Sequence, residues 1–374
     1  MRSRTHARGL RGRGRFQQTG RAFYFAFKLA MLSLTNKHEM AYSQKPLIDL
    51  MKKGQVPGES GIPRHIETVI SNVFLFDKNA YKIYKNDNDF FNKEFRDISG
   101  KEERFTFTRG DFAWNNKLSP SIYLKLMGIR VAAGEIEFLE PVDEADDLVI
   151  FMNRVDSKDF LVEKLMRGEI TEKDAFSIGR QLGETLGHLK APKVEGQNYY
   201  ELFESRIKDM REWIKMVNEY ISEEESGAYC DFLENFRNKN KGLLEGTMSD
   251  ELAHSGDLHS HNAVFTGGKL HLVDTFPPKE EWLIQHRMIS VYRMGSDIWA
   301  LSGDKNLFES YIKGYEEGSG IKVDRNLDVP FVIYASSIMV SYLYMLQRTD
   351  PKNKESALRF HKFIREYFAE VKNK

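Results

Sequence analysis

The sequence predicts an α+β protein of two lobes, a small mixed lobe followed by a large helical one. Two patterns carry this reading. Up to about Asn153 the apolar residues fall in short runs of β-rich composition separated by turn signals, as hairpins require. Beyond Asn153 the period lengthens to 3.6 and stays there, apart from one embedded hairpin at Ala263–Val273. At 374 residues the chain is long enough for two domains and a sizeable apolar core.

Taken in order, residues 1–43 read as a disordered extension, and folding is expected to begin near Gln44. Pro46–Lys53 (PLIDLMKK) has a short helical pattern, and Gly54–Arg64 is a loop rich in Gly and Pro. Thr68–Phe76 and Ala80–Tyr84 are apolar and β-rich, and the DKN between them signals a hairpin turn. Asn86–Phe91 is a polar loop. Glu102–Leu118 is a helix ended by Ser119-Pro120. Ile129–Val131 and Glu135–Phe138 bracket Gly134 as a second hairpin, and Leu148–Met152 is a further strand. These elements make a small lobe over residues 44–154.

In the larger lobe, residues 155–374, Phe160–Met166 and Glu172–Leu189 are helical by spacing. The second places Phe176, Gly179, Leu182, Leu186 and Leu189 on one face. Tyr199–Ile221 and Tyr229–Phe236 follow as helices. Ala263–Phe265 and Leu270–Val273 form a hairpin around Gly267-Gly268. Helices resume from about Ile289 to the end, interrupted by a glycine-rich loop near Gly314–Gly320.

The formal net charge is zero, from 55 basic and 55 acidic side chains, and that zero hides an asymmetry. Residues 1–30 hold seven arginines and Lys28 with no acid, which leaves 47 basic against 55 acidic residues in the rest. The body therefore lacks the basic excess of a nucleic-acid binder, and no nucleic acid is obligatory. The basic start followed by Ala22–Leu34 has the outline of a targeting peptide, although Lys28 interrupts its apolar run; Met31 and Met40 are alternative starts. No stretch approaches twenty uninterrupted apolar residues, so no membrane span is expected. The single cysteine, Cys230, excludes an intrachain disulfide and fits a reducing, cytoplasmic setting. Its amphipathic helical context predicts burial. The sequence leaves the oligomeric state open.

The densest polar cluster is HSGDLHSHN (His254–Asn262), directly before the hairpin that ends in Asp274. Folding that hairpin back brings Asn262 and Asp274 together, with Asp257 on the loop before them. Oxygen donors of this kind suit a hard cation such as Mg2+, which also binds phosphate oxygens. A further carboxylate beside such a site can accept the proton of a substrate hydroxyl during phosphoryl transfer. A rival reading uses the histidines: His254, His259 and His261 with Asp257 as ligands to zinc or iron. Gly267-Gly268-Lys269 is a turn and not a phosphate loop, since it lacks GxxxxGK[ST].

HSGDLHSHNAVFTGGKLHLVD resembles the HGDxHxxN…D signature of the aminoglycoside phosphotransferase-like kinases, a branch of the protein-kinase-like fold. IETVISNVFLFDKNAYKIYK and NNKLSPSIYL resemble the small lobe of an uncharacterised bacterial branch of it, and the similarity spans about Gln44–Leu346. The resemblance implies a two-lobed kinase-like fold with ATP and Mg2+ as cofactors. It implies Asp257 as catalytic base and Asn262 and Asp274 as metal ligands. Lys82 matches the lysine that grips the nucleotide phosphates, and Asp111 the acid that pairs with it. Met152–Arg154 matches the hinge that reads the adenine edge, and Asp297 a helical support of the catalytic loop.

The sequence departs from that pattern in three places. Ser255 stands where a histidine commonly precedes Gly-Asp, Asp111 is one methylene shorter than glutamate, and the first hairpin turn lacks glycine. The resulting expectation is an ATP-dependent phosphotransferase acting on a hydroxyl of a small molecule. The alternative is a catalytically silent kinase-fold protein that binds nucleotide or a protein partner.

Overall fold

A computed structural model describes residues 42–140, 144–187, 189, 198–246, 252–254, 256–279, 282–348 and 350–372. The chain divides into Met1–Gln44 and a compact unit, Lys45–Lys374, that holds every element below. The arginine-rich segment and Ser255 lie outside the described residues.

The unit opens with α1 (Lys45–Lys52) and a six-stranded sheet. Its strands are β1 (Arg64–Glu67), β2 (Ser71–Leu75), β3 (Asn79–Tyr84), β4 (Tyr123–Ala132), β5 (Glu135–Leu139) and β6 (Asp147–Asn153), ordered β1-β2-β3-β6-β4-β5. Every neighbouring pair is antiparallel. Both expected hairpins are present, and β6 fills the centre, which explains its continuous apolar run LVIF. Two short elements join the expected ones. β1 extends the first hairpin to a three-stranded meander, and α2 (Asp89–Glu94), capped by the Asn88 side chain, replaces part of the expected polar loop. Four residues with one isoleucine, or six with two phenylalanines, carry too little periodicity to declare themselves.

Alternation along β3 decides what faces the site. Tyr81 and Ile83 pack with Leu47 and Met51 of α1 on one side of the sheet. Ala80 and Tyr84 pack on the other with Phe107 of α3 (Lys101–Leu118), and Lys82 shares their parity. That second cluster continues into Val264, Val273 and Phe276 of the helical lobe, so Lys82 emerges at the seam between lobes.

Arg104 of α3 is buried against Asp147 at the head of β6, Nε to Oδ1 at 3.1 Å, and its Nη1 donates to the carbonyls of Ile98, Ser99 and Gly100. Breaking a buried pair strands the remaining charge. Arg104→Met is therefore expected to lower the urea-unfolding free energy by about 3–5 kcal/mol. The double change Arg104→Met, Asp147→Leu should recover much of that loss.

The helical lobe runs through α4 (Leu161–Met166), α5 (Glu172–Gly187), α6 (Tyr199–Lys215), α7 (Glu223–Lys239) and α8 (Lys241–Gly246). Then come β7 (Leu252–His254), the hairpin β8 (Ala263–Thr266) and β9 (Lys269–Leu272), and β10 (Ile284–His286), which pairs with β7. Four helices complete it: α9 (Arg287–Ser302), α10 (Lys305–Ser319), α11 (Asp328–Leu346) and α12 (Asn353–Lys372). Cys230 is buried in the core, as its context predicts. Part of the expected glycine-rich loop is instead helix: Gly314 and Gly318 lie within α10, where they meet the backbone of Phe176 and Arg180 on α5. Close packing of two backbones overrides the low helix propensity of glycine there. One helical stretch, Arg325–Leu346, is long and apolar enough to cross a membrane by length and composition, but 72% of its apolar window is buried inside the protein. It is a core helix of this lobe.

Candidate active site

The hairpin β8–β9 and the loop before it gather the polar cluster. Val273 N–H donates to Asn262 O at 2.8 Å and Asp257 N–H to Thr275 O at 2.8 Å, which ties the loop to the strand that ends at Asp274. Asn262 Nδ2 then donates to two carbonyls, Asp257 O at 3.0 Å and Asp274 O at 2.9 Å. With the amide nitrogen so used, Oδ1 is the atom Asn262 has to offer a cation. Asp274 has φ 54°, a left-handed conformation that costs a non-glycine residue about 1 kcal/mol or more. Its N–H is held by Tyr123 Oη at 2.7 Å. The chain turns sharply there and leaves the carboxylate half exposed.

Lys82 is buried between two carboxylates from different elements: Asp274, to which Nζ donates directly, and Asp111 of α3, 3.6 Å away. The Tyr84 ring lies 4.7 Å from the ammonium. Burial would lower the lysine, but Asp111 and then Asp274 outweigh it and hold it above its ordinary value, so it stays charged. The Asp111 carboxyl is pushed up to about 6 by burial, against the pull of Lys82. The short Asp111 reaches its partner at ion-pair distance, and the glycine beside it brings the helix close: a Cβ on Gly110 would stand 3.0 Å from Phe276 Cζ.

Asn115, one turn beyond Asp111, donates Nδ2 to Asp111 Oδ1 at 2.9 Å and accepts from both N–H and Oγ1 of Thr275 at 3.0 Å. Trp114 Nε1 also donates to Thr275 Oγ1, at 3.1 Å. α3 is thus bonded directly to the residue that follows Asp274.

Asp257 Oδ1 is 2.9 Å from Arg293 Nη2 of α9, and its Oδ2 is 3.5 Å from His259 Nε2. Burial works to raise the Asp257 carboxyl, yet His259 and Arg293 outweigh it and hold it well below the usual carboxylate range. One turn along α9, Asp297 Oδ2 accepts from Ser260 N–H at 2.7 Å and Ser260 Oγ at 2.6 Å, and so braces the loop.

His261 is half buried with an enclosed Nδ1, and burial pushes it down to about 3, with His259 acting in the same sense and Asp257 against it. An unfolded histidine titrates near 6.5, so between pH 6.5 and 3 the unfolded chain binds a proton that the folded one does not. Stability from this group is complete above pH 6.5 and falls as pH drops. Asp111 acts oppositely below about 6, in wild type and variant alike. In chelator-treated, metal-free protein, between pH 7 and 5, His261→Asn is expected to lose about 1–2 kcal/mol less unfolding free energy than wild type, read from urea midpoints at the two pH values.

Met152–Arg154, the expected hinge, is placed differently. Met152 is paired on both sides, with Ala80 and Tyr123. The N–H groups of Asn153 and Arg154 donate to Ile122 O and Lys78 O, and Arg154 Nη1 donates to Phe76 O at 2.7 Å. Asn115, Tyr123, Thr275 and Arg293 escaped the sequence reading. Only Arg293 carried a local signal, four residues before Asp297 on one helix face.

No protein-family model and no curated protein matches the chain. Among solved structures it is similar to a choline/ethanolamine kinase family protein from Mesorhizobium loti, with 15% identity over 88% of this chain and 94% of that one and a TM-score of 0.46. It is also similar to the choline kinase LicA from Streptococcus pneumoniae, with 10% identity over 85% and 99% of the two chains and a TM-score of 0.48. A glucosamine kinase in complex with glucosamine, ADP and inorganic phosphate matches with 11% identity over 83% and 81%, at a TM-score of 0.46.

Proposed function

We propose that the protein is a small-molecule kinase that moves the γ-phosphoryl group of ATP to a hydroxyl of its acceptor. The observation that supports this reading most is the buried Lys82, charged and aimed at Asp274 across the seam between lobes. A lysine with two acidic partners is costly to bury for stability alone, and one of those partners is half exposed beside a second oxygen donor, Asn262.

In this reading Lys82 grips the phosphates and Asp111 keeps it charged and aligned. The donor set of Asp274 and Asn262, all oxygen, fits a hard cation. Mg2+ held there would neutralise phosphate charge as it develops. Asp257 orients the acceptor hydroxyl and takes its proton. Met152–Arg154 borders the adenine, and because its N–H groups at 153 and 154 are engaged, contacts there fall to carbonyl oxygens and side chains.

Incubation with Mg-ATP and a panel of hydroxyl acceptors, with product mass as the readout, tests the reading. Asp274→Ala is expected to weaken Mg-dependent ATP binding at least about 10-fold, the equivalent of ~1.4 kcal/mol. Equal Mg-ATP affinity in wild type and variant would remove the phosphate-site assignment. The Arg293–Asp257 ion pair favours a second reading, a silent nucleotide binder whose base is occupied by the protein itself. Binding of Mg-ATP without transfer to any acceptor or to water would support that alternative.

A further inference from the structure

We infer that His259, His261 and Asp297 form a second metal site, for a borderline transition ion such as Zn2+, distinct from the oxygen-donor pair Asn262 and Asp274. One ring nitrogen from each histidine and a carboxylate oxygen of Asp297 all lie within 4.8 Å of one another. Such donors close on an ion with bonds of about 2 Å through small side-chain rotations.

The independent observation is an orphaned side chain. His259 is only 1% exposed; its Nε2 faces the Asp257 carboxylate at 3.5 Å, and among the described residues its Nδ1 has no hydrogen-bond partner, nor has His261 Nδ1. A buried imidazole costs free energy unless its nitrogens are satisfied. The His259 ring lies 5.8 Å, centroid to centroid, from that of His261. Asp297 is 2% exposed and spends Oδ2 on Ser260, while no bond to Oδ1 appears among the described residues. The partial exposure of His261 leaves a side open to solvent, where a water can complete four-coordination.

Two imidazoles and one carboxylate are the donors of Zn2+, Co2+ or Ni2+ and are poorly suited to Mg2+, which takes oxygen. Bound there, the ion would bridge loop residues 259 and 261 to α9. It would thus brace the segment that carries Asp257 and Asn262 by a bond that hydrogen bonding alone does not supply.

Tag-free protein stripped with a chelator and titrated with Zn2+ alone is expected to take up one ion per chain and to melt a few degrees higher. Excess Mg2+ should not displace the ion, and Asp274→Ala should bind it like wild type. Co2+ in its place should give visible ligand-field bands. Loss of a protein ligand should cost at least about 100-fold in affinity, beyond the 10–100-fold typical of losing an outer partner. His259→Ala tests this directly. His261→Ala, with its ring partly at the surface, keeps the test decisive where the first variant fails to fold. A stripped wild type that takes up no Zn2+ at submillimolar concentration, or a folded His261→Ala that binds as wild type does, would overturn the site. None of these readouts depends on kinase activity.

Discussion

Asp257→Asn is expected to lower phosphoryl transfer by about 10²–10⁴-fold while ATP affinity stays within a few fold. The substitution keeps the size and planarity of the side chain and removes its capacity to take a proton. The backbone frame of the site does not pass through that side chain. Asp257 N–H bonds Thr275 O, and Asn262 Nδ2 bonds Asp257 O, so the positions of Asn262 and Asp274 survive the change. On the proposed reading the variant loses the acceptor of the hydroxyl proton, and it also loses the anionic partner of Arg293. Single-turnover transfer alongside ATP binding separates the two effects. A variant that turns over at the wild-type rate would show that another group is the base.

Gly314→Ala is expected to destabilise the protein by more than about 3 kcal/mol, although alanine is the better helix former by ~1 kcal/mol. α5 and α10 meet backbone to backbone. A Cβ on Gly314 would lie 2.0 Å from Phe176 O, one on Gly318 2.0 Å from Arg180 O, and one on Gly179 2.0 Å from Tyr311 O. These obstacles are main-chain atoms, so no rotamer change relieves them. The helices must part, and with them the buried side chains of Ile178, Leu182, Tyr311 and Tyr315 lose their packing. Once one methyl has separated the pair, a second costs less. Gly179→Ala with Gly314→Ala should therefore fall short of the sum of the two single changes. Urea unfolding followed by tryptophan fluorescence measures all three, and a cost below about 1 kcal/mol for Gly314→Ala would contradict the close contact.

The same glycines show where sequence reasoning runs out. Gly314 and Gly318 look like loop residues because the partner that needs their missing side chains is more than a hundred positions away. Hairpins around DKN, Gly134 and Gly267-Gly268 were legible because turn chemistry and alternation are local. Asp257, Asn262 and Asp274 were legible for a related reason: two short apolar strands set their spacing and fold them together. Asn115 was not, since its bonds to Thr275 span 160 residues and an asparagine inside a helix advertises nothing. Lys82 was legible only through the family resemblance, since a lysine alternating with apolar neighbours in a strand looks like any solvated one. That a second carboxylate meets it from the far lobe is a property of packing.

The Asn115 bonds also bear on how such a molecule breathes. Because α3 is fastened to Thr275, the inner half of the small lobe is tied to the strand end carrying Asp274. In the kinase proposed above, a cleft between the lobes would therefore not gape along that edge. It would pivot about it, with the travel at the opposite rim, where β1 and β2 lie farthest from the fastening in the strand order.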